Sequence, residues 1–293
     1  MPTWPIFALT DNELVAGRDN KHLFAGSSRR RPWPGGYELT VPDPTMTSEL
    51  WLLVIGAAVA GFVQGLSGFA FSLVAMSFWV WGIEPQVASV MAVFGSLTGQ
   101  IVAAFSVRRR LDFAALAPFL AGGLVGIPLG IMVLPRLDPH LFKLVLGAVL
   151  VVWCPVMLFA QRLPKVTAGG RFADGLAGAA GGFMGGIGGF TGPIPTLWCT
   201  LRGMNKEQQR AIVQNFNLAT LSVTMAGYIA TGTVTRAMLP LLPMVAVALL
   251  VPALLGARVY VGLSELAFRR VVLSLLSVSG LAMLAAALPK LLM

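Results

Sequence analysis

Gly61-Phe62-Val63-Gln64-Gly65-Leu66-Ser67-Gly68-Phe69 decides the fold, because it returns 121 residues later as Gly182-Phe183-Met184-Gly185-Gly186-Ile187-Gly188-Gly189-Phe190. Five of the nine positions are identical. Each copy interrupts a long apolar stretch. The first stretch, 48–82, has 35 residues. As one straight helix it would be about 52 Å long, too long for a single crossing of a hydrocarbon core about 30 Å thick. The second, 172–200, carries Pro193 and Pro195 just beyond its glycines. Glycine weakens a helix interior by about 1 kcal/mol relative to alanine, and proline removes a backbone donor. Both stretches are therefore expected to be broken helices.

The repeat extends outward from the two motifs. The same offset places Gly82 on Gly203. A slightly larger one matches Leu129-Gly130 with Leu255-Gly256, Leu137 with Leu263, Phe142 with Phe268 and Lys143 with Arg269. Further apolar segments lie at 86–106, 114–134, 141–160, 211–230, 237–257 and 267–288. The chain thus divides into a first membrane repeat, 46–160, a linker, 161–171, and a second repeat, 172–293. Residues 1–45 differ in kind: they contain Arg29-Arg30-Arg31, several prolines and acids, and no apolar leader-like run. They read as a disordered tail, and Met46, directly before the first apolar run, is an alternative start.

Composition excludes the soluble classes. Apolar residues make up 56% of the chain and charged residues 11%, against roughly 25% charged in an ordinary soluble domain. The mean hydropathy is +0.79. The net charge of +9 sits in short connections rather than on a basic face interleaved with aromatics, which argues against nucleic acid. Cys154 and Cys199 lie in apolar runs and read as small core residues. His22 and His140 are the only histidines, so no metal-ligand spacing arises, and nothing calls for a cofactor.

Charges between the segments test the topology. With each segment crossing once, the basic residues outside the tail divide eight against eight between the two sides. If each broken segment instead returns to its own side, twelve fall together: Arg108–Arg110, Arg162, Lys165, Arg171, Arg202, Lys206, Arg210, Arg258, Arg269 and Arg270. Arg136, Lys143, Arg236 and Lys290 fall opposite. The second division follows the positive-inside tendency. Only Arg29–Arg31 runs against it, lying outside if the tail belongs to the chain. The expected fold is an all-α polytopic membrane protein of two inverted repeats, each a broken or re-entrant hairpin plus three transmembrane helices. Such repeats, with broken helices at the midplane, are a transporter plan. Ten short spans would have the same parity.

The doubled motif, the following Gly192-Pro193-Ile194-Pro195 and the Gly82-Ile83-Glu84-Pro85-Gln86-Val87-Ala88 stretch resemble the TauE/SafE family of sulfite and organosulfonate exporters. The resemblance covers about 46–290. It implies a multi-pass carrier of a bacterial inner membrane that exports sulfite, sulfoacetate or a related organosulfonate or carboxylate. The first copy departs from the glycine-richer run usual in the family, with Ser67 and Phe69-Ala70-Phe71, which bears on substrate size and headgroup.

The residues give their own reason for an anion. A broken helix exposes backbone amides at the start of its returning half, where the helix dipole is positive. Glycine lets a ligand approach that backbone. The expected backbone donors are Gly65, Gly68, Gly186, Gly188 and Gly189, with Ser67 and Thr191 adding hydroxyls. The alternative for such glycines is close helix packing; the doubled break favours binding. Among polar residues within spans, Gln64 and Asn215 are the preferred pathway candidates, ahead of Thr98, Gln100, Gln214 and Asn217. The acids Glu84, Asp112, Asp138, Asp174, Glu207 and Glu265 all fall at segment ends or in connections, leaving no mid-span carboxylate relay. A potential-driven uniporter is therefore expected.

Two other classes compete. Gly65-Leu66-Ser67-Gly68 has the form found around the serine of rhomboid intramembrane proteases, but that nucleophile needs a histidine base, and neither histidine is suitably placed. The chain is thus not expected to be an enzyme. An ion channel or cation-coupled importer would use carbonyl ends and acids instead of amides. The expected partners are the anion and the bilayer, with room for a homodimer.

Overall fold

The computed structural model describes residues 44–106, 112–160, 164–166, 168–259 and 265–291, and every regular element among them is a helix. The tail up to residue 43, with His22 and Arg29–Arg31, lies outside the described residues, as do Arg108–Arg110 and Arg162. The first half comprises α1 (Pro44–Ser67), α2 (Phe71–Trp79), α3 (Pro85–Ser106), α4 (Phe113–Val133), a 3₁₀ turn (Leu134–Arg136) and α5 (Pro139–Phe159). The second repeats that order with α6 (Gly170–Gly188), α7 (Pro193–Leu201), α8 (Lys206–Ala230), a 3₁₀ turn (Arg236–Met238), α9 (Leu241–Val259) and α10 (Glu265–Leu291).

Among the described residues, five stretches are long and apolar enough to cross a membrane: Ser48–Ser67, Pro85–Phe105, Phe113–Arg136, Pro139–Phe159 and Arg236–Arg258. Helix α8 is less apolar because it carries Gln214, Asn217, Thr220 and Thr224, all buried. Large apolar side chains such as Phe105, Val125, Val152, Val247 and Val278 point outward. That outward greasy face suits lipid, whereas a soluble monomer rarely exposes such a surface. Two acids expected at segment ends act as helix caps. Asp112 accepts from the Ala115 amide, and Asp138 from the amides of His140 and Leu141, satisfying donors that a helix start leaves open.

Both long apolar stretches fold back on themselves. The Trp79 indole donates to the Leu53 carbonyl at 3.2 Å, so the end of α2 lies beside the first part of α1. The Trp198 indole likewise donates to Asp174 Oδ1 at 2.7 Å, bringing α7 back beside the start of α6. Straight crossing through either stretch is thereby overturned. Lys143 over the Trp81 ring and Gln86 donating to the Thr233 carbonyl gather the α2–α3, α4–α5 and α8–α9 connections at one end. The Val166 amide donating to Leu201 and the Arg202–Asp174 ion pair at 3.9 Å mark the other.

Each hairpin packs on a helix of the opposite half, α1 on α9 and α6 on α4. These contacts run backbone to backbone. A Cβ built at Gly122, Gly126 or Gly130 would come under 3.0 Å from the carbonyls of Gly175, Ala179 and Phe183. The numbers rise together, so α4 and α6 are parallel. Gly61 and Gly65 against Leu249 and Ala253 show the same for α1 and α9. Small residues let helices approach closely enough for dispersion and Cα–H···O contacts, the main attractions left where hydrocarbon replaces water.

Two neighbouring glycines of α6 test this. A Cβ at Gly178 would strike the Phe119 backbone, whereas one at Gly175 meets its nearest atom, the Pro118 carbonyl oxygen, at 3.5 Å. Gly178→Ala is expected to destabilise by about 1–3 kcal/mol through overpacking, and Gly175→Ala to be neutral or to stabilise by up to about 1 kcal/mol. Thermal unfolding of the detergent-solubilised variants measures the difference; equal midpoints would show that close approach does not hold these helices.

Candidate functional site

The two breaks are built alike. Helix α1 ends where Gly68 takes a φ of +83° and its amide donates to the Gln64 carbonyl at 2.7 Å. Helix α6 ends where Gly189 takes a φ of +76° and its amide donates to the Gly185 carbonyl at 2.8 Å. A left-handed residue after a helix is the usual glycine stop, and only glycine adopts it without a Cβ penalty. After Gly68, the Ser67 hydroxyl accepts from the amides of Phe69 and Ala70 at 3.4 and 3.2 Å, and α2 begins. After Gly189, Thr191 and Gly192 lead into α7 at Pro193.

This geometry moves the expected backbone donors. Gly65, Gly186 and Gly188 lie inside continuous helices, so their amides belong to the helical ladder. Gly65 and Gly186 meet the backbones of Ala253 and Ile127, which is the packing alternative realised. The amides of Gly68 and Gly189 close the last turns of α1 and α6. The donors without a partner in their own helix are instead those opening α2, at Phe71, Ser72 and Leu73. Helix α7 offers little in return, because Pro193 and Pro195 have no N–H and only Ile194 between them does. The two halves are thus unequal in chemistry despite their matched backbone.

The breaks meet in the middle of the fold. A Cβ at Gly189 would lie 2.6 Å from Ser72 Oγ, and one at Gly192 would lie 2.9 Å from Phe69 Cδ2 and 3.2 Å from Asn217 Nδ2. Gly68 is faced by Gln214, whose Nε2 lies 3.0 Å from the equivalent position. Buried polar groups line the junction. Ser72 and Ser96 share a hydroxyl hydrogen bond of 2.6 Å, Gln64 donates to the Ser96 carbonyl at 3.1 Å, and Gln100 donates to the Gly68 carbonyl at 2.6 Å. On the other half, the Thr191 hydroxyl donates to Asn217 Oδ1 at 2.9 Å.

Of the residues singled out from sequence, Gln64, Ser67, Gly68, Gly189 and Thr191 gather at the junction. Gly188 adjoins it through Phe190 and Met76. Asn215 is half-buried. Its neighbours lie beside the breaks, Gln214 against Gly68 and Asn217 bonded to Thr191. They share one face of α8, three residues apart, whereas Asn215 is turned about 100° from Gln214. Ser96 was not anticipated. The 121-residue offset that relates the motifs places Ser96 of α3 on Asn217 of α8, and each is the buried partner of a hydroxyl beside a break.

Asp174 lies at a segment end, as expected, yet is buried there. It is 6% exposed, one turn inside α6, and held by Trp198 and Arg202. Among the described residues, Ser67 Oγ is engaged in capping and His140 is exposed in the first turn of α5.

The family model for the sulfite exporter TauE/SafE matches residues 53–283, from α1 into α10 and across both breaks. No curated protein and no solved structure matches the chain.

Thr191→Val keeps the shape of the side chain and leaves the buried Asn217 amide without this partner. A loss of about 1–3 kcal/mol is expected, the cost of an unsatisfied buried polar group. Thermal unfolding reads it, and an unchanged midpoint would show that the hydrogen bond does not brace the second break.

Proposed function

The chain belongs to the TauE/SafE family of sulfite exporters, multi-pass membrane transporters, and from that premise we propose that it exports a small anion through the junction of its two breaks. Sulfite, sulfoacetate and related organosulfonates or carboxylates form the substrate class. One observation carries this reading: two glycine-capped breaks from opposite halves abut, and the opening turn of α2 meets the second break at a junction that also holds the buried polar groups of Ser72, Ser96, Gln64, Thr191 and Asn217. Oriented dipoles of this kind hold negative charge without a lysine or arginine in the low-dielectric interior.

The halves are inverted repeats in this reading. Their matched element order, the exchange of hairpins between them and the hairpin mouths at opposite ends of the bundle all support it. The Arg202 end then collects the twelve basic residues and faces the cytosol of a bacterial inner membrane, by the positive-inside tendency. An anion leaving a negative interior gains about 2.3 kcal/mol per charge per 100 mV. That drive suffices for export, so the carrier is a potential-driven uniporter.

Cysteine labelling tests the orientation. Lys165→Cys is expected to react only with reagent on the cytosolic side, and Ala237→Cys only from outside; both positions are exposed, and the native Cys154 and Cys199 are buried. Labelling of both from one side would sink the inverted arrangement. In proteoliposomes, an imposed inside-negative potential of 100 mV is expected to drive a singly charged anion outward toward a ratio of about 50-fold. Transport that ignores the potential and follows a pH gradient would overturn the uniport reading.

A further inference from the structure

At the junction, Gln64 carries a polar atom that the capping and bracing described above do not use. Gln64 is 5% exposed, and its Nε2 is committed to the Ser96 carbonyl. A carbonyl can only accept, so the bond fixes which end of the amide faces Ser96, and Oε1 is the atom left over. It is fully buried and has no hydrogen-bond partner. The side chain lies against Gly99 of α3, between Ser96 and Gln100. Ser96 Oγ in turn bonds Ser72 in the opening turn of α2, and Gln100 bonds the Gly68 carbonyl at the break itself. Ser96 therefore links the Gln64 amide, with its unmatched acceptor, to the turn that opens α2. Two opposite demands meet there: the amides of Phe71 to Leu73 call for acceptor oxygens, and Gln64 calls for a hydrogen.

Resting on the anion-export reading, we infer that the site selects oxyanions that carry a hydrogen-bond donor, with Gln64 Oε1 receiving that hydrogen. The chemical class is a singly charged oxyanion bearing one O–H or N–H: hydrogensulfite, or a sulfonate with a hydroxyl or amino group on its short carbon chain. The oxyanion face meets the α2 amides and the donor meets Gln64. A fully deprotonated or purely alkyl anion leaves Oε1 desolvated and unpaired. Burying an unpaired acceptor is costly, whereas pairing it returns that cost, so the discrimination falls on the analogue that lacks the donor. Gln64 is then a specificity residue, distinct from the backbone groups that hold the charge.

A matched pair of probes tests this in proteoliposomes. 2-Hydroxyethanesulfonate and propane-1-sulfonate are both fully ionised and differ by a hydroxyl in place of a methyl, with sulfite as a third substrate. The unsubstituted protein is expected to move the hydroxyl compound with about tenfold higher kcat/KM. In Gln64→Met, similar in length and lacking the amide oxygen, the ratio should fall to within about twofold, with thermal unfolding run alongside to show that the variant is folded. Sulfite transport with equal rates for the two sulfonates in the unsubstituted protein overturns the inference alone, and needs no variant. A folded Gln64→Met that keeps the tenfold preference also overturns it. Movement of none of the three anions overturns the export reading and the inference with it.

Discussion

A helix that stops inside hydrocarbon strands backbone amides and carbonyls where no water can reach them, and each costs several kcal/mol if left unpaired. The fold must therefore cover two interruptions before it can use them. At the first, the Gly68 amide closes on Gln64, Ser67 takes the next two amides, and Gln100 reaches from α3 to the Gly68 carbonyl. At the second, the Gly189 amide closes on Gly185, and Thr191 is tied to Asn217 of α8. What remains without a partner in its own helix is the start of α2.

Coverage on this scale requires the other half of the chain. Each hairpin is laid on a helix of the opposite repeat through glycine-lined, backbone-level contact, and only then do the two breaks abut. The stripes of glycine along α4 and α6 therefore determine the geometry of a site to which they contribute no side chain. They place α6 parallel to α4, which brings Gly189 against Ser72 and Gly192 against Phe69.

The halves share a backbone plan and differ in chemistry. Helix α2 opens with three amides, while α7 opens with two prolines and a single amide between them. The hairpin mouths differ as well. Asp174, Trp198 and Arg202 form a charged clasp at one, whereas the positions 121 residues earlier are Leu53, Ser77 and Trp81, with Trp79 bonding the Leu53 carbonyl instead. The two interruptions match in backbone form, but the first turn of α2 brings three amides to the junction where that of α7 brings two prolines.

Five of the spans, the two interruptions and their spacing were legible in the sequence, because hydrocarbon thickness sets the length of an apolar run and a doubled glycine motif marks where it cannot continue. The capping acids Asp112 and Asp138 were legible as residues at segment ends for the same reason: a charge is tolerated only near the interface. Which glycine breaks the helix and which one packs was not legible. Gly65 and Gly186 are permissive residues like Gly68 and Gly189, and the difference is whether Ala253 or Ile127 of another helix presses against them. Likewise Asn215 and Asn217 look equal in a list of polar residues. Rotation of α8 against the breaks decided that Gln214 and Asn217 face inward, and it brought Ser96 into a site that local pattern alone does not reveal. Local composition records what a segment permits; contacts between distant segments select among the permitted states.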